Sequence, residues 1–158
     1  MTLATKLVPR SPLAPSVVRV LEYRQESADT FTLTCAPPTA PRNPYSFQPG
    51  QFNMLYLLGV GEAPISMSGD PNKPETVLHT IRAVGSVTNA LARLRPGDAL
   101  GLRGPYGAGW PAEAAVGKDV VLVTGGIGLA LLRPLIDELL RRRADFQRIG
   151  LLHGSRTP

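Results

Sequence analysis

Three stretches of this chain hold residue types whose spacing could do chemistry. The first is Thr124-Gly125-Gly126-Ile127-Gly128, set between the apolar run 120–123 and an apolar helical stretch. Glycines at 126 and 128 let the backbone approach a pyrophosphate, and a helix start supplies unpaired N–H groups and positive potential. Leu131 stands where the third glycine of a G-x-G-x-x-G turn would be, and no carboxylate follows the next apolar run to hold a ribose. A tight strand-to-helix turn without a ligand therefore stays open as the alternative. The second stretch carries Arg82, then Gly85, Ser86, Val87 and Thr88 at the start of a short helix. Backbone donors, hydroxyls and a nearby cation make a second phosphate site, unless Thr88 merely caps that helix. The third stretch sets Ser66 and Ser68 on a strand with Ile65 and Met67. That offers an apolar wall with a few hydrogen-bonding groups, as a flat ring system needs, or it is an ordinary strand.

Other chemistries find little footing. Cys35 is the one cysteine, so the chain forms no internal disulfide and no four-cysteine cluster, and Cys35 reads as a small core group. His79 and His153 have no partner at metal-ligand spacing and read as structural. There is no nucleophile elbow and no paired-carboxylate signature. A formal charge of +5 without an aromatic-rich basic stripe argues against nucleic acid. Glycines, Arg133 and Pro134 interrupt the apolar stretch 120–136 and argue against a membrane span.

The elements that must position these groups can be read from periodicity and punctuation. Sixteen glycines and sixteen prolines in 158 residues favour short strands and many turns. Residues 1–15 read as a flexible leader that lacks a signal-peptide core, so the expected location is cytoplasmic. From 16 to 111 six short extended runs follow one another. The second, DTFTLTCAP, alternates, with Phe31, Leu33 and Cys35 on one face and Thr30, Thr32 and Thr34 on the other. A short helix, TNALARLR, with Thr88 as its N-cap, precedes the sixth run. This predicts a six-stranded antiparallel barrel. Residues 112–118 read as a linker. From 119 to 158 the pattern is strand, glycine turn, helix from about 129 to 143, and a second strand parallel to the first. The strand at 120–123 is continuously apolar, as strands buried on both faces are. The helix groups Leu129, Leu132, Ile136, Leu139 and Leu140 on one face, with Leu131 and Leu135 close by. The fold class expected is β plus α/β: a barrel followed by an incomplete βαβ nucleotide-binding half-domain.

The order of the stretches FQPGQFNML, APISMSG, IRAVGSVTNAL, GLRGPYGAGWP, VLVTGGIGLALLRPL and LLHGSRTP resembles the ferredoxin–NADP reductase superfamily. The nearest likenesses are the gamma subunits of nickel–iron hydrogenases and the electron-transfer subunit of dihydroorotate dehydrogenase. The resemblance covers residues 17 to 158. It implies an FAD-binding barrel, with NAD or NADP as substrate of the following domain. Pro64, Ile65 and Ser66 match the strand that contacts the flavin, and Ser66 would face the reactive edge of the ring as the catalytic residue. Ala63 and Ile65 replace the family's usual Arg and Tyr, so Arg82 would supply the missing positive charge. Thr80 joins that strand's contacts, and Gly85, Ser86, Val87 and Thr88 match the pyrophosphate loop. Thr124, Gly125, Gly126 and Gly128 match the nicotinamide-nucleotide loop, where Leu131 replaces a usual proline. Ser155 and Arg156 match the ribose or 2′-phosphate region. The implied function is passage of hydride or electrons between NAD(P)H, flavin and a redox partner subunit of an electron-transfer complex. The alternative is a flavin-binding barrel that docks or relays without NAD(P)H activity of its own.

Overall fold

Alternation sets the first half of the molecule. In the computed structural model, which describes residues 13–38 and 45–155, Phe31, Leu33 and Cys35 of β2 (Thr30–Cys35) all point into one core and are at most 1% exposed. β1 (Ser16–Gln25) precedes it, and β3 (Phe52–Leu57), β4 (Gly61–Ser66), β5 (Val77–Arg82) and β6 (Ala99–Tyr106) follow. The helix α1 (Ser86–Leu91) lies between β5 and β6. The six strands form one antiparallel sheet in the order β4-β3-β6-β1-β2-β5. β1 serves both halves of that sheet. Its residues Ser16 to Arg19 pair with β6, and Val20 to Gln25 pair with β2 across a bulge between Val20 and Glu22. A bulge adds twist and bends the strand, which is how one strand turns a barrel corner.

The barrel is rolled rather than closed by a sixth ladder, because β4 and β5 remain the two ends of the sheet. The chain leaving β4 bridges the gap instead, the Ser68 N–H donating to the Leu78 carbonyl at 2.9 Å. Inside, twelve buried residues form one cluster: ten from β1, β2, β3, β5 and β6, with Met67 just after β4 and Leu91 of α1. Each full-sized side chain so buried is worth about 1.5–3 kcal/mol.

The second region is smaller. β7 (Val120–Gly125), α2 (Gly128–Arg141) and β8 (Ile149–Gly154) form the βαβ unit, with β7 and β8 parallel. Its cluster has five buried residues, Leu122, Leu132, Leu135, Leu139 and Phe146. No helix among the described residues is long and apolar enough to cross a membrane.

Several details depart from the expectations above. The leader at 1–15 falls almost wholly outside the described residues, as does Arg156. Thr32 lies on the polar face of β2, yet it is buried, its hydroxyl bonded to Glu26 and Thr80. Gly85, not Thr88, is the N-cap of α1, and Thr88 sits three residues on, its Oγ1 accepting the N–H groups of Gly85 (2.9 Å) and Val84 (3.0 Å). That helix ends at Leu91, and isolated turns carry the chain on to β6. In α2 the buried face centres on Leu132, Leu135 and Leu139, whereas Leu140 is 56% exposed. β7 is covered on one face only: Leu122 is buried, but Val121 is 63% and Val123 71% exposed. The stretch 112–118 contains a 3-10 turn (Ala112–Ala115), tied to α2 by ion pairing of Glu113 with Arg142.

Candidate functional site

The parallel pairing of β7 and β8 sets Thr124 beside His153 and Gly125 beside Gly154, so both strands end together. Ligands of open α/β sheets lie at such carboxyl ends. The turn out of β7 needs glycine. Gly126 has φ +51° and donates its N–H to the Gly154 carbonyl at 2.8 Å. Gly128 opens α2 with no room for a side chain, since a Cβ there would stand 2.7 Å from the Thr124 hydroxyl. The N–H groups of Ile127 and Gly128, at the positive end of α2, have no protein acceptor among the described residues.

Facing this turn is the end of the β1–β2 hairpin. Glu26, Ser27, Asp29, Thr30 and Arg82 from the barrel, and Gly125, Gly126, Ile127, His153, Gly154 and Ser155 from the βαβ unit, line one cleft of about 760 Å³. Arg82 and Thr30 are cross-strand partners, so Arg82 leaves β5 pointing at the hairpin end. There its Nε donates to Asp29 Oδ2 at 2.6 Å, and this bond holds the Asp29 carboxyl below its usual range. For Glu26, burial raises the pKa, but hydrogen bonds from Thr32 and Arg24 outweigh it and the carboxyl stays below its ordinary value. Both acids are thus charged and matched by arginines, so an anion entering the cleft competes with Asp29 for Arg82.

The other expected residues sort into three groups. Pro64, Ile65 and Ser66 end β4, where Ser66 pairs with Phe52. Gly85, Ser86, Val87 and Thr88 gather at the opposite end of the same strand, since a Cβ on Gly61 would touch Val87 at 3.5 Å. These two groups lie beyond the cleft lining. Thr80 is engaged within the protein. Thr32 donates to Glu26 Oε1 at 2.6 Å, so it accepts from Thr80 at 2.9 Å, which in turn accepts from Ser68 at 2.9 Å. The Thr88 hydroxyl is likewise used in holding its own loop.

Sequence reading missed the hairpin side of the cleft altogether. Glu26, Ser27, Asp29 and Thr30 sit in a turn with no motif, and only the pairing of β2 with β5 brings them to Arg82. His153, read as structural, is exposed and lines the cleft. His79, also read as structural, is fully buried.

The residues present fit a phosphate-bearing nucleotide. A Cβ built on Gly126 or Gly154 meets nothing within 4 Å, and one on Gly85 meets only Thr88 Oγ1 at 4.0 Å, so bare backbone is open at both loops. The cleft volume lies within the ordinary range for small-molecule sites.

No family model matches the chain. It is 38% identical over 112 residues to sulfhydrogenase 1 subunit gamma of Pyrococcus furiosus, covering 71% of this chain and 38% of that protein. It is 38% identical over 145 residues to a probable dihydroorotate dehydrogenase B (NAD(+)), electron transfer subunit, of Methanopyrus kandleri, covering 91% of this chain and 52% of that one. The chain therefore spans about half, or less, of the length of these relatives. A ferredoxin NADP+ reductase from Neisseria gonorrhoeae with bound FAD and NADP shares the fold at a TM-score of 0.74 and 22% identity, over 87% of this chain and 56% of that one. An open-ended six-stranded barrel leading into a glycine-turn βαβ unit is thus the fold that the chain shares with that ferredoxin NADP+ reductase, and in sequence the chain is similar to those two subunits.

Proposed function

We propose that the chain is an FAD-binding electron-transfer module that takes reducing equivalents from NAD(P)H and passes them to a protein redox partner. The observation that carries this reading is the shared cleft, in which a barrel cation, Arg82, and the glycine turn of the βαβ unit face one another. Flavin, when bound, supplies the redox chemistry, accepting hydride and releasing electrons singly. The protein's part is binding, orientation and exclusion of water.

In this reading the ring lies against Pro64, Ile65 and Ser66, with Ser66 at its reactive edge. The pyrophosphate lies at Gly85, Ser86 and Val87. The two groups lie toward opposite ends of β4, whose six residues span about 17 Å at 3.4 Å per residue, a length that suits an elongated ligand. Thr88 orients the loop rather than touching phosphate. Arg82 exchanges Asp29 for the cofactor's negative charge. Thr124 fixes the start of α2, while Gly125, Gly126 and Gly128 leave backbone N–H groups for the nicotinamide nucleotide, whose ribose side falls near Ser155 and Arg156. No side-chain acid or base is needed for hydride transfer. Similarity to the Methanopyrus protein, a probable NAD(+)-linked electron transfer subunit, supports NAD(H) chemistry and a partner subunit.

A second reading, a flavin-binding relay without NAD(P)H activity, is favoured by one observation. The sheet face opposite α2 leaves Val121, Val123 and Leu152 exposed, so the βαβ unit offers a nucleotide little beyond its loop. Anaerobic mixing of the FAD-loaded chain with NADH or NADPH decides between the two. Bleaching of the flavin band supports the first reading, and a yellow protein that neither nucleotide reduces supports the second. A chain that takes up no flavin contradicts both.

A further inference from the structure

β4 is an edge strand, paired only with β3, yet its last residues are the ones the proposed function sets against the flavin ring. Something must hold that end. The buried polar side chains nearby show what does. The Tyr45 hydroxyl donates to Asn53 Oδ1 at 2.6 Å. Asn53 is 0% exposed, and its Nδ2 lies 3.2 Å from His79 Nε2. His79, also 0% exposed, has Nδ1 3.1 Å from the Ser66 carbonyl oxygen.

The donors and acceptors can be assigned one after another. Oδ1 of Asn53 is taken by a hydroxyl donor, so the amide faces His79 with its NH₂ group. Nε2 must then accept, and Nδ1 must carry the proton and donate it to Ser66. The network reads Tyr45 to Asn53 to His79 to Ser66, with a proton offered at every step. It places Asn53 of β3, His79 of β5 and Ser66 of β4 in one line across the seam where β4 and β5 lack a ladder. The next N–H, that of Met67, donates to the Gln51 carbonyl at 3.2 Å. Both polar groups of the Ser66–Met67 peptide are therefore fixed, one by β5 through His79 and one by the segment before β3.

We propose that His79 is a positioning residue, whose Nδ1–H bond to the Ser66 carbonyl sets the peptide that presents Ser66 to the flavin ring. This rests on the proposed function, because the ring's place beside Ser66 does. Burial holds His79 neutral, lowering its pKa to about 4, so the donating tautomer persists across the physiological range.

The test begins with the wild-type chain. Long-range ¹H–¹⁵N correlation of the imidazole at neutral pH should show the Nδ1–H tautomer, and addition of FAD should shift the Nδ1 proton. Two variants then separate the ring's two bonds. An Asn amide nitrogen reaches near the place of Nδ1, whereas a Gln side chain reaches the place of Nε2. His79→Gln, folded by far-ultraviolet circular dichroism, should bind FAD about tenfold or more weakly, displace its absorption bands and speed amide exchange at Met67 and Ser68. His79→Asn should stay within about threefold of wild type in affinity with its bands restored. An Nε2–H tautomer, an Nδ1 proton that ignores FAD, or folded Asn and Gln variants that bind FAD alike each overturn the positioning role while leaving the proposed function standing. A wild-type chain with the Nδ1–H tautomer that takes up no FAD overturns the proposed function, and the positioning role falls with it.

Discussion

The barrel strands alternate and β7 is continuously apolar, yet it is the barrel that buries its apolar residues the more completely. In the barrel, β2 and β5 each bury every second residue at 0–1% exposure, and α1 adds Leu91 to the same core. In the βαβ unit, Leu122 is the only buried residue of β7, and among the described residues β7 and β8 each pair on one side only. A pair of strands with one helix is marginal by itself, and unpaired edges invite further strands. Apolar pattern alone therefore does not decide burial; it decides only which faces would be buried if something covered them.

Truncation of the two cores gives the largest effect that separates the regions. Leu33→Ala, at a site with no exposure, should cost about 2–5 kcal/mol of barrel stability, read from denaturant unfolding of the single tryptophan. Trp110 reports on the barrel because its ring lies against Gly50, where a Cβ would come within 2.8 Å. Leu139→Ala removes as many atoms, but its cost is capped by the local stability of the βαβ unit. It should reduce helical signal while leaving the Trp110 transition in place. A Leu139→Ala chain whose tryptophan transition moves as far as that of Leu33→Ala would show that the two regions unfold as one.

Acid sharpens the same contrast, since the barrel contains a buried histidine and the βαβ unit does not. His79 titrates near 6.5 unfolded and at about 4 folded. Between those values the unfolded chain binds the extra proton, so stability is full above pH 6.5 and falls as pH drops toward 4. The loss is about 3 kcal/mol, at 1.36 kcal/mol for each unit. Tyr45, joined to His79 through Asn53, is pushed up to about 12 by burial and stays neutral throughout. The slope should vanish in His79→Asn and should be absent from amides of β7.

How much of this was legible in the sequence follows from the range of the interactions. Alternation in β2 and the glycine turn after β7 are local, and both stand in the structure as read. The burial of Thr32 was not legible, because its hydroxyl is satisfied by Thr80 on another strand. Nor was the pairing of Arg82 with Asp29, 53 residues away, or the line of buried groups through Asn53 and His79. Periodicity sees the face a residue occupies, not the partner that makes its burial tolerable. The same blindness explains β7, whose apolar run implied cover on both sides. Among the expected site residues, the glycines at 125, 126 and 128 do form the turn from β7 into α2, because turn chemistry is local. Thr80 and Thr88 turned out to serve the protein's own hydrogen bonding.

A smaller effect belongs to the turn. Gly128→Ala puts a methyl group 2.7 Å from the Thr124 hydroxyl and should cost the βαβ unit about 1–3 kcal/mol. Thr124→Ala in the same chain should recover most of it, and a thermal melt of the four-variant cycle reads the coupling. The smallest effect is at the cleft. The Arg82–Asp29 pair is exposed, so Asp29→Asn should leave the melting curve unchanged. It should nevertheless tighten anion binding a few-fold by freeing Arg82, as read by FAD titration. Weakened FAD binding in Asp29→Asn would instead mean that the pair is needed intact.

Amide hydrogen exchange on a chain shown by sedimentation to be monomeric tests the contrast most directly. The amides of Leu33 and Ile81 should exchange only through global unfolding of the barrel, and those of residues 121–123 should exchange at least about a hundredfold faster. Equal protection in β2, β5 and β7 would contradict the account, because it would make the βαβ unit as complete as the barrel.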